Sequence, residues 1–410
     1  MNSGKTDLGP LSGVRILDLS RWIAGPFATM LMADAGADVI KVEGLQGEDA
    51  RHSVPTLYGT SAYVHHYNRN KRGLAVDFRC AEGRAILKKL ATEWADVVVE
   101  NFRPGILEAM GLGYEDLSKV NPGLVMVSIS GFGRTGPESA RPSFNTIAEA
   151  FAGAMSLTGD IQAPPTMSGF FAADHATGLY AAFGTMLALT ERAKTGRGQF
   201  VELSLANSML SILGFTLTAR LNDLPIPPRT GNRDNATAPA DLFWTRDQQP
   251  VYIDAGTDRL FETLCGVMQD STLASDPKFA TNKGRLDHWK QLYDRINVWT
   301  MQTSWEQLRT HLTAAKIPFS AINTIDQAIN EPQFADQKMF AEIMTADGSK
   351  IRVPGMALKM SCSPGTIRMA APFIGQHTVE VLNEQLGMTQ EEINALIASG
   401  AIGVGTNGNE

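Results

Sequence analysis

The sequence predicts an α/β protein: a Rossmann-like parallel sheet domain plus a smaller α+β domain. Short apolar runs alternate with helical segments through the first half, as in VRILDL (Val14–Leu19), DVIKVE (Asp38–Glu43), DVVVE (Asp96–Glu100) and LVMVSI (Leu124–Ile129). Runs that are apolar throughout are typical of strands buried on both faces of a parallel sheet. Past residue 222 the chain becomes rich in Pro, Gly and Asn, and the pattern changes.

The remaining elements of the first half follow the same alternation. Gly25-Pro26 opens a helix that runs to Ala33, and helical spacing returns over Glu82–Trp94. Further strands are predicted at Leu74–Phe78 and Gln199–Leu205. Together these segments build one sheet with helices on both faces.

The domain bounds follow from these changes of pattern. Residues 1–222 form the first part of the large domain, 223–235 a linker, 236–320 the small domain, and 321–410 return to the large domain. The small domain should combine short strands near residues 241–254 with three helices. In the last segment, Phe340–Met344 and Ile351–Val353 flank a turn and predict a hairpin.

Composition limits the classes of function. The net charge of −7 over 410 residues, without a basic block, argues against nucleic acid as the main partner. Three widely spaced cysteines suit a reducing compartment, and no leader peptide or membrane-length apolar run is evident, so a cytoplasmic protein is expected. Neither H-x-x-x-H nor C-x-x-C occurs, so no metal is expected.

One long helix is predicted in the stretch that runs from Gly169 to Gln199. Asp174 stands at its entry, cations close its last turn, and its body is apolar almost all round, so the helix should be buried. Two interpretations of Asp174 remain open. It could simply cap the helix, or it could be a reactive carboxylate whose ionised form is favoured by the helix dipole and free N–H groups.

Ligands of parallel sheets lie beyond the carboxyl ends of the strands. The segments to inspect are therefore Arg21–Gly25, Arg79, Asn101–Gly105 and Ser130–Arg134. The last of these begins a G-x-G-x-x-G pattern (Gly131–Gly136), which in isolation suggests a nicotinamide enzyme. That fingerprint must open a helix, whereas Pro137 and Pro142 follow here, so the dinucleotide interpretation is disfavoured.

Several motifs in order carry a resemblance to a known family. They are LSGVRILDLS (Leu11–Ser20), AGP (Ala24–Pro26), GADVIKVE (Gly36–Glu43), NRNKR (Asn68–Arg72), VVVENFRPG (Val97–Gly105), SISGFG (Ser128–Gly133), DHATGLYAAFG (Asp174–Gly184) and GQHT (Gly375–Thr378). This series resembles the family III CoA-transferases, which include formyl-CoA transferase and carnitine CoA-transferase. The resemblance covers nearly the whole chain.

The resemblance implies a role for each matched segment. Asp174 would be the catalytic nucleophile, and residues 1–222 would bind coenzyme A. Contacts with CoA or acyl-CoA are implied for Ile23, Ala24, Val76, Phe78, Arg79, Asn101, Phe102, Arg103, Phe144 and Asn145. The family forms interlocked homodimers and takes acyl-CoA and small carboxylic acids as substrates, with no permanently bound cofactor; succinyl-CoA is the donor that the resemblance suggests.

The implied reaction passes through an aspartyl anhydride and an aspartyl-CoA thioester, and its oxyanions would need N–H donors from the helix start or from the Ser130–Gly133 loop. Two alternatives stay open. An α-methylacyl-CoA epimerase of the same fold would need a general base near Phe144-Asn145, and Phe cannot accept a proton. A CoA-binding subunit of a heteromeric transferase would bind CoA without turnover.

Overall fold

The structure is a computed structural model that describes residues 8–405. The first seven residues, on which the predicted absence of a leader peptide depends, lie outside that range, as do residues 406–410. The described chain divides into two compact units: a larger one formed by the residues up to 154, 168–215 and 333 onwards, and a smaller one formed by 155–167 and 216–332.

Strands and helices are numbered along the chain. The strands are β1 (Arg15–Asp18), β2 (Asp38–Glu43), β3 (Thr56–Leu57), β4 (Thr60–Ser61), β5 (Lys71–Val76), β6 (Val97–Glu100), β7 (Val125–Ser130), β8 (Phe200–Ser204), β9 (Ala240–Trp244), β10 (Pro250–Asp254), β11 (Phe319–Ala321), β12 (Phe340–Met344), β13 (Lys350–Pro354) and β14 (Ile402–Gly403). The α-helices are α1 (Ala24–Asp34), α2 (Ala62–Tyr67), α3 (Ala81–Lys89), α4 (Ile106–Ala109), α5 (Tyr114–Leu117), α6 (Asn145–Phe151), α7 (Ala154–Leu157), α8 (Ala172–Thr195), α9 (Leu205–Ile212), α10 (Gly214–Leu221), α11 (Asp258–Met268), α12 (Ser271–Ser275), α13 (Asn282–Asp287), α14 (Trp289–Thr300), α15 (Trp305–Ala315), α16 (Ile325–Ala328), α17 (Pro332–Asp336), α18 (Thr378–Leu386) and α19 (Gln390–Ala398).

The larger unit is built on a seven-stranded sheet in the order β14-β5-β2-β1-β6-β7-β8. Every pairing is parallel except that of β14, which adds to β5 in the antiparallel sense and places Ile402 opposite Val76. The predicted α/β class with a parallel sheet is therefore confirmed. The strand order reverses between β1 and β6, so the loops that leave these two strands diverge and open a crevice at their carboxyl ends.

Each face of this sheet has its own apolar core. One core joins Leu17, Ile40 and Val98 to the helices α3, α18 and α19, and the other joins Val99 and Val127 to α1, α6, α8 and α9. Burial on both faces explains why the strand sequences are apolar throughout. Among the described residues, no helix is long and apolar enough to cross a membrane.

Buried ion pairs cross the layers of the larger unit. The Lys71 ammonium donates to the Asp18 carboxylate at 2.9 Å, and both side chains are fully buried. The pKa of Asp18 is held below its usual range: its burial acts in the opposite direction, but the charges of Lys71 and Lys41 outweigh it. A second pair joins Arg69 to Asp34 at 2.6 Å.

Helix α8 departs from its predicted environment. Its inner residues, such as Ala173, Ala181 and Ala188, are buried against the second core. Its other face leaves Leu179, Phe183 and Leu187 more than half exposed, so the prediction of burial all round is wrong for the single chain. An apolar composition fixes neither the number of helix faces that neighbours cover nor which face is covered.

The smaller unit contains a three-stranded antiparallel sheet in the order β11-β10-β9. Its core packs Phe243, Val251 and Ile253 against α11, α14 and α15. Its bounds are wider than the predicted 236–320, and the stretch 223–235 predicted as a linker falls within it. In that stretch Thr230 pairs with Asp160 in an isolated bridge.

Candidate active site

A cavity of about 560 Å³ lies among residues that follow β1, β6 and β7. Three of the segments predicted from strand ends contribute to its wall: Arg21–Ala24, Asn101–Pro104 and Ser130-Gly131. The segment before α6 and the start of α8 complete it with Phe144, Asn145, Phe171 and Asp174. The entire lining belongs to the larger unit.

The loop after β1 is held by polar contacts to neighbouring segments. Asn101 accepts from the Arg21 N–H at 2.8 Å and donates to the Arg21 carbonyl at 2.7 Å. The buried Glu48 carboxylate accepts from the Trp22 N–H at 2.9 Å. Trp22 adopts a φ of 64°, which is strained for a bulky residue, and these contacts fix it there. The loop therefore presents a preformed wall to the cavity.

The loop after β7 packs closely on the segment that contains Ser143 because of a glycine. A Cβ on Gly131 would lie 2.4 Å from that of Ser143, so no side chain fits there. Residues 131–144 contain no helix, so the G-x-G-x-x-G pattern does not open one in this structure.

Asp174 is the third residue of α8 and does not cap it. The N-cap position is Phe171, which offers no side-chain cap, so the capping interpretation of Asp174 is wrong. The acceptor at the helix start is instead the Asn145 side-chain oxygen, which lies 2.8 Å from the Ala173 nitrogen and 3.3 Å from the Asp174 nitrogen. The Asp174 carboxylate is thus left to line the cavity.

The environment of this carboxylate disfavours its charge. Burial raises the pKa of Asp174 from 3.8 to about 7, and the negative charge of Glu149 adds to the rise. Within the described part of the larger unit, no donor lies within hydrogen-bonding distance of the carboxylate oxygens. The expectation that free N–H groups favour ionisation is therefore wrong, because those groups already have acceptors.

The N–H groups of the first helical turn are all engaged. Those of Ala172 and His175 donate to the carbonyls of Phe170 and Phe171, and those of Ala173 and Asp174 donate to Asn145. They are not available to a developing oxyanion, so the helix start is ruled out as its donor. The Ser130–Gly133 loop is the remaining candidate from the two predicted.

An aromatic group surrounds the start of α8. Tyr63 lines the cavity beside Phe171, with ring centroids 5.9 Å apart. The His175 ring points away to Tyr67, whose hydroxyl lies 3.0 Å from Nε2, and its Nδ1 lies 2.7 Å from the Phe171 carbonyl. His175 thus has a structural role, as expected for the neighbour of an inward-facing helix residue.

The sequence-predicted CoA residues divide into two groups. Those that line the cavity are Ile23, Ala24, Asn101, Phe102, Arg103, Phe144 and Asn145. The second group, Val76, Phe78 and Arg79, does not line the cavity. Val76 is fully buried in β5, and Phe78 packs on Phe102 with ring centroids 6.1 Å apart. Arg79 is exposed and pairs with Asp77. The reason is topological, since β5 is separated from β1 by β2.

Sequence reasoning missed Glu149, Ser168, Tyr63 and Arg141. Glu149 and Asn145 stand four residues apart on α6, a spacing that places both on one helix face and could have indicated the pair. Arg141 joins Arg21 and Arg103 in the cavity wall, which gives this region three guanidinium groups. In the described residues no group of His, Cys, Asp and Glu side chains could hold a metal ion.

Comparisons with known proteins agree with this architecture. A model of CoA-transferase family III matches residues 11–378. The succinyl-CoA–D-citramalate CoA-transferase of Chloroflexus aurantiacus is 34% identical over 96% of this chain and 98% of its own length. The human succinyl-CoA:glutarate CoA-transferase is 35% identical over 98% of this chain and 91% of its own. A crystal structure of a CAIB/BAIF family protein from Brucella suis superposes with a TM-score of 0.83 at 33% identity, covering 92% of this chain and 99% of the other.

The chain belongs to the family III CoA-transferases, as the motif series predicted. Membership supports an acyl-CoA transferase that uses CoA thioesters as substrates.

Proposed function

We propose that this protein transfers CoA from succinyl-CoA to a small dicarboxylic acid, with Asp174 as the covalent nucleophile. The observation that carries the proposal is the Asp174 carboxylate, which lines the cavity without a hydrogen-bond donor in the described part of the larger unit. A carboxylate without donors keeps its lone pairs for attack, and a raised pKa makes it a stronger nucleophile once ionised. The substrate class follows from the relatives, whose names pair succinyl-CoA with citramalate or glutarate.

The reaction proceeds by exchange of acyl groups. An Asp174 oxygen attacks the thioester carbonyl. The C–S bond breaks, CoA departs as a thiolate, and a mixed anhydride of the acyl group and Asp174 remains. The thiolate attacks the Asp174 carbonyl, which releases the donor acid and leaves an aspartyl-CoA thioester. The acceptor carboxylate attacks that thioester to give a second anhydride, and the thiolate attacks the acceptor acyl carbon, restoring the Asp174 carboxylate. No net proton, ATP or metal is consumed.

The cavity wall supplies the groups that the substrates require. The guanidinium groups of Arg21, Arg103 and Arg141 offer positive charge to the phosphates of CoA and to the distal carboxylate of a dicarboxylic acid. The β7 loop lines the cavity at Ser130 and Gly131, and its backbone N–H groups other than that of Gly133, which already donates to Ser130 Oγ, would stabilise the tetrahedral oxyanion. The epimerase alternative calls for a base near Phe144-Asn145, and among the described residues of this wall no histidine occurs there.

The test is intact-protein mass spectrometry after incubation with succinyl-CoA. We expect a CoA-sized adduct that hydroxylamine removes and that peptide mapping locates at Asp174. The isosteric variant Asp174→Asn should form no adduct and lose at least about a thousandfold in transfer rate, as expected for a missing nucleophile. Substantial transfer by this variant, with CoA affinity unchanged, would refute the mechanism. Exchange of the α-proton of an acyl-CoA in D2O would instead support the epimerase.

A further inference from the structure

Glu149 is a buried carboxylate that has no cationic partner in the described part of the larger unit. It is 2% exposed on α6, and its oxygens accept only from neutral groups: Asn145 Nδ2 at 2.6 Å, Ser168 Oγ at 2.7 Å and the Ser168 backbone N–H at 3.0 Å. Burying a carboxylate without a cation is costly, and an apolar residue would serve the packing of α6 better. The site therefore calls for a reason to keep a negative charge.

The first consequence of this carboxylate is the orientation of Asn145. A carboxylate is acceptor-only, so the Asn145 group that faces it must be the NH2 group. The amide oxygen is thereby turned toward the start of α8, where it accepts from the backbone N–H groups of Ala173 and Asp174. A flipped amide would bring donors against donors on the α8 side.

The second consequence concerns the chain before the helix. The Ser168 backbone N–H donates to Glu149, and the single hydroxyl proton of Ser168 has two acceptors, Glu149 at 2.7 Å and the Phe170 carbonyl at 2.8 Å. Glu149 therefore contacts the segment before α8 directly, at Ser168. It contacts the first turn of α8 indirectly, through the Asn145 side chain. Asp174 belongs to the second attachment through its own backbone N–H group.

We infer that Glu149 is a positioning residue for the reaction: with Asn145 and Ser168 it fixes the start of α8 so that the Asp174 carboxylate faces the thioester. This inference rests on the proposed function, in which Asp174 is the nucleophile. Nucleophile placement to within about 1 Å is worth up to about a hundredfold in rate, so a clamp at this point affects the chemical step more than substrate binding.

The charge of Glu149 gives the clamp a second signature. It adds to the rise in the pKa of Asp174 that burial causes. The other titratable groups that face Asp174 are Tyr63 and Tyr67 of α2, whose own pKa values are raised by burial and lie above the assay range. His175 has both ring nitrogens engaged, with Tyr67 and with the Phe171 carbonyl. Removal of the Glu149 charge should therefore lower the pH at which Asp174 titrates.

The experiment measures the rate of adduct formation from succinyl-CoA against pH in the full-length protein and in Glu149→Gln. A glutamine would set its NH2 group against a donor of Ser168 or Asn145, so the clamp is lost with almost no change in volume. We expect the rate at about pH 8 to fall roughly 10- to 100-fold, the inflection to move to lower pH, and the affinity for CoA to stay unchanged.

A swapped pair provides the rescue. The double variant combines Glu149→Gln with Asn145→Asp. The new carboxylate at position 145 accepts from the backbone N–H groups at the start of α8 and from the NH2 group of the new glutamine. The oxygen of that glutamine amide accepts from the Ser168 N–H. We expect the double variant to recover most of the rate that either single variant loses. The control is Asp96→Asn, which removes a carboxylate that pairs with Arg192 near the other end of α8 and with Arg15, and which should leave the pH inflection in place.

The outcomes separate the two claims. A wild-type protein that forms no adduct refutes the proposed function, and the positioning role falls with it. A wild-type protein that forms the adduct, together with a Glu149→Gln variant that matches its rate and its inflection, refutes the positioning role alone. An equal loss of rate in Asp96→Asn, with the same shift of inflection, would reduce Glu149 to a general stabiliser and also overturn the inference.

Discussion

Replacement of Asp174 by Asn should stabilise the folded protein at neutral and alkaline pH while removing transfer. The folded environment raises the pKa of Asp174 from 3.8 to about 7, because burial and the charge of Glu149 oppose ionisation. The unfolded chain ionises this group near its ordinary value. Between these two values the folded state binds more protons than the unfolded state, so its stability falls as pH rises.

The size of the effect follows from the two pKa values. A rise from 3.8 to about 7 corresponds to about 4 kcal/mol, which is the most that the ionised group can subtract from stability above pH 7. Below the unfolded pKa both forms are protonated and the penalty vanishes. Asn is a neutral isostere of Asp, so Asp174→Asn should avoid the penalty. Its free energy of unfolding should exceed that of the wild type by up to about 4 kcal/mol at pH 8 but by less than about 1 kcal/mol near pH 4.

Urea unfolding at equal protein concentration, repeated from about pH 4 to about pH 8, measures this difference. The matched control is Asp223→Asn, since Asp223 is 98% exposed at its side chain and should show no pH-dependent gain. A variant at Asp174 whose stability relative to wild type is the same at both ends of the pH range would refute the assignment of a raised pKa. An Asp174→Asn variant that is less stable than the wild type at pH 8 would indicate that the pKa of Asp174 is lowered, not raised.

Two further predictions test other parts of the structure. Arg103→Ala, at an exposed position in the cavity wall, should raise the KM for acyl-CoA roughly tenfold in steady-state kinetics. Arg79→Ala, outside that wall, should leave the KM unchanged. Equal effects of the two variants would contradict the placement of the cavity. Lys71→Met should cost about 3–5 kcal/mol in urea unfolding because it strands the buried Asp18 carboxylate, against less than about 1 kcal/mol for Lys119→Met at an exposed pair; similar costs would refute the role of the buried pair.

Local pattern was sufficient to predict most strands of the central sheet, but it missed helix α6 and the edge strand β14. Continuous apolar runs predicted strands within a few residues of β1, β2, β6 and β7, because burial on both sheet faces leaves little room for polar residues. The same reasoning indicated which loops leave the carboxyl ends of those strands. The motif series predicted the family, and the comparisons confirmed it.

Pairing across the sheet decided which of those loops meet. Arg79 and Arg103 both follow a predicted strand, and nothing in the sequence separates them. The strand order puts β6 next to β1 and puts β2 between β1 and β5, so Arg103 reaches the cavity and Arg79 does not. Strand order depends on long-range contacts, which local patterns do not encode.

The state of Asp174 also depended on tertiary structure. Its position near a helix start was evident from the sequence, and the helix dipole predicted an ionised, stabilised carboxylate. The fold brings Asn145 to the helix N–H groups and Glu149 close to the carboxylate, which reverses the direction of the pKa shift. The sequence by itself placed Asp174 near a helix start, and the motif series suggested it as the nucleophile; the packing of α6 against α8 decided the electrostatic environment of its carboxylate, because desolvation and charge depend on neighbours distant along the chain.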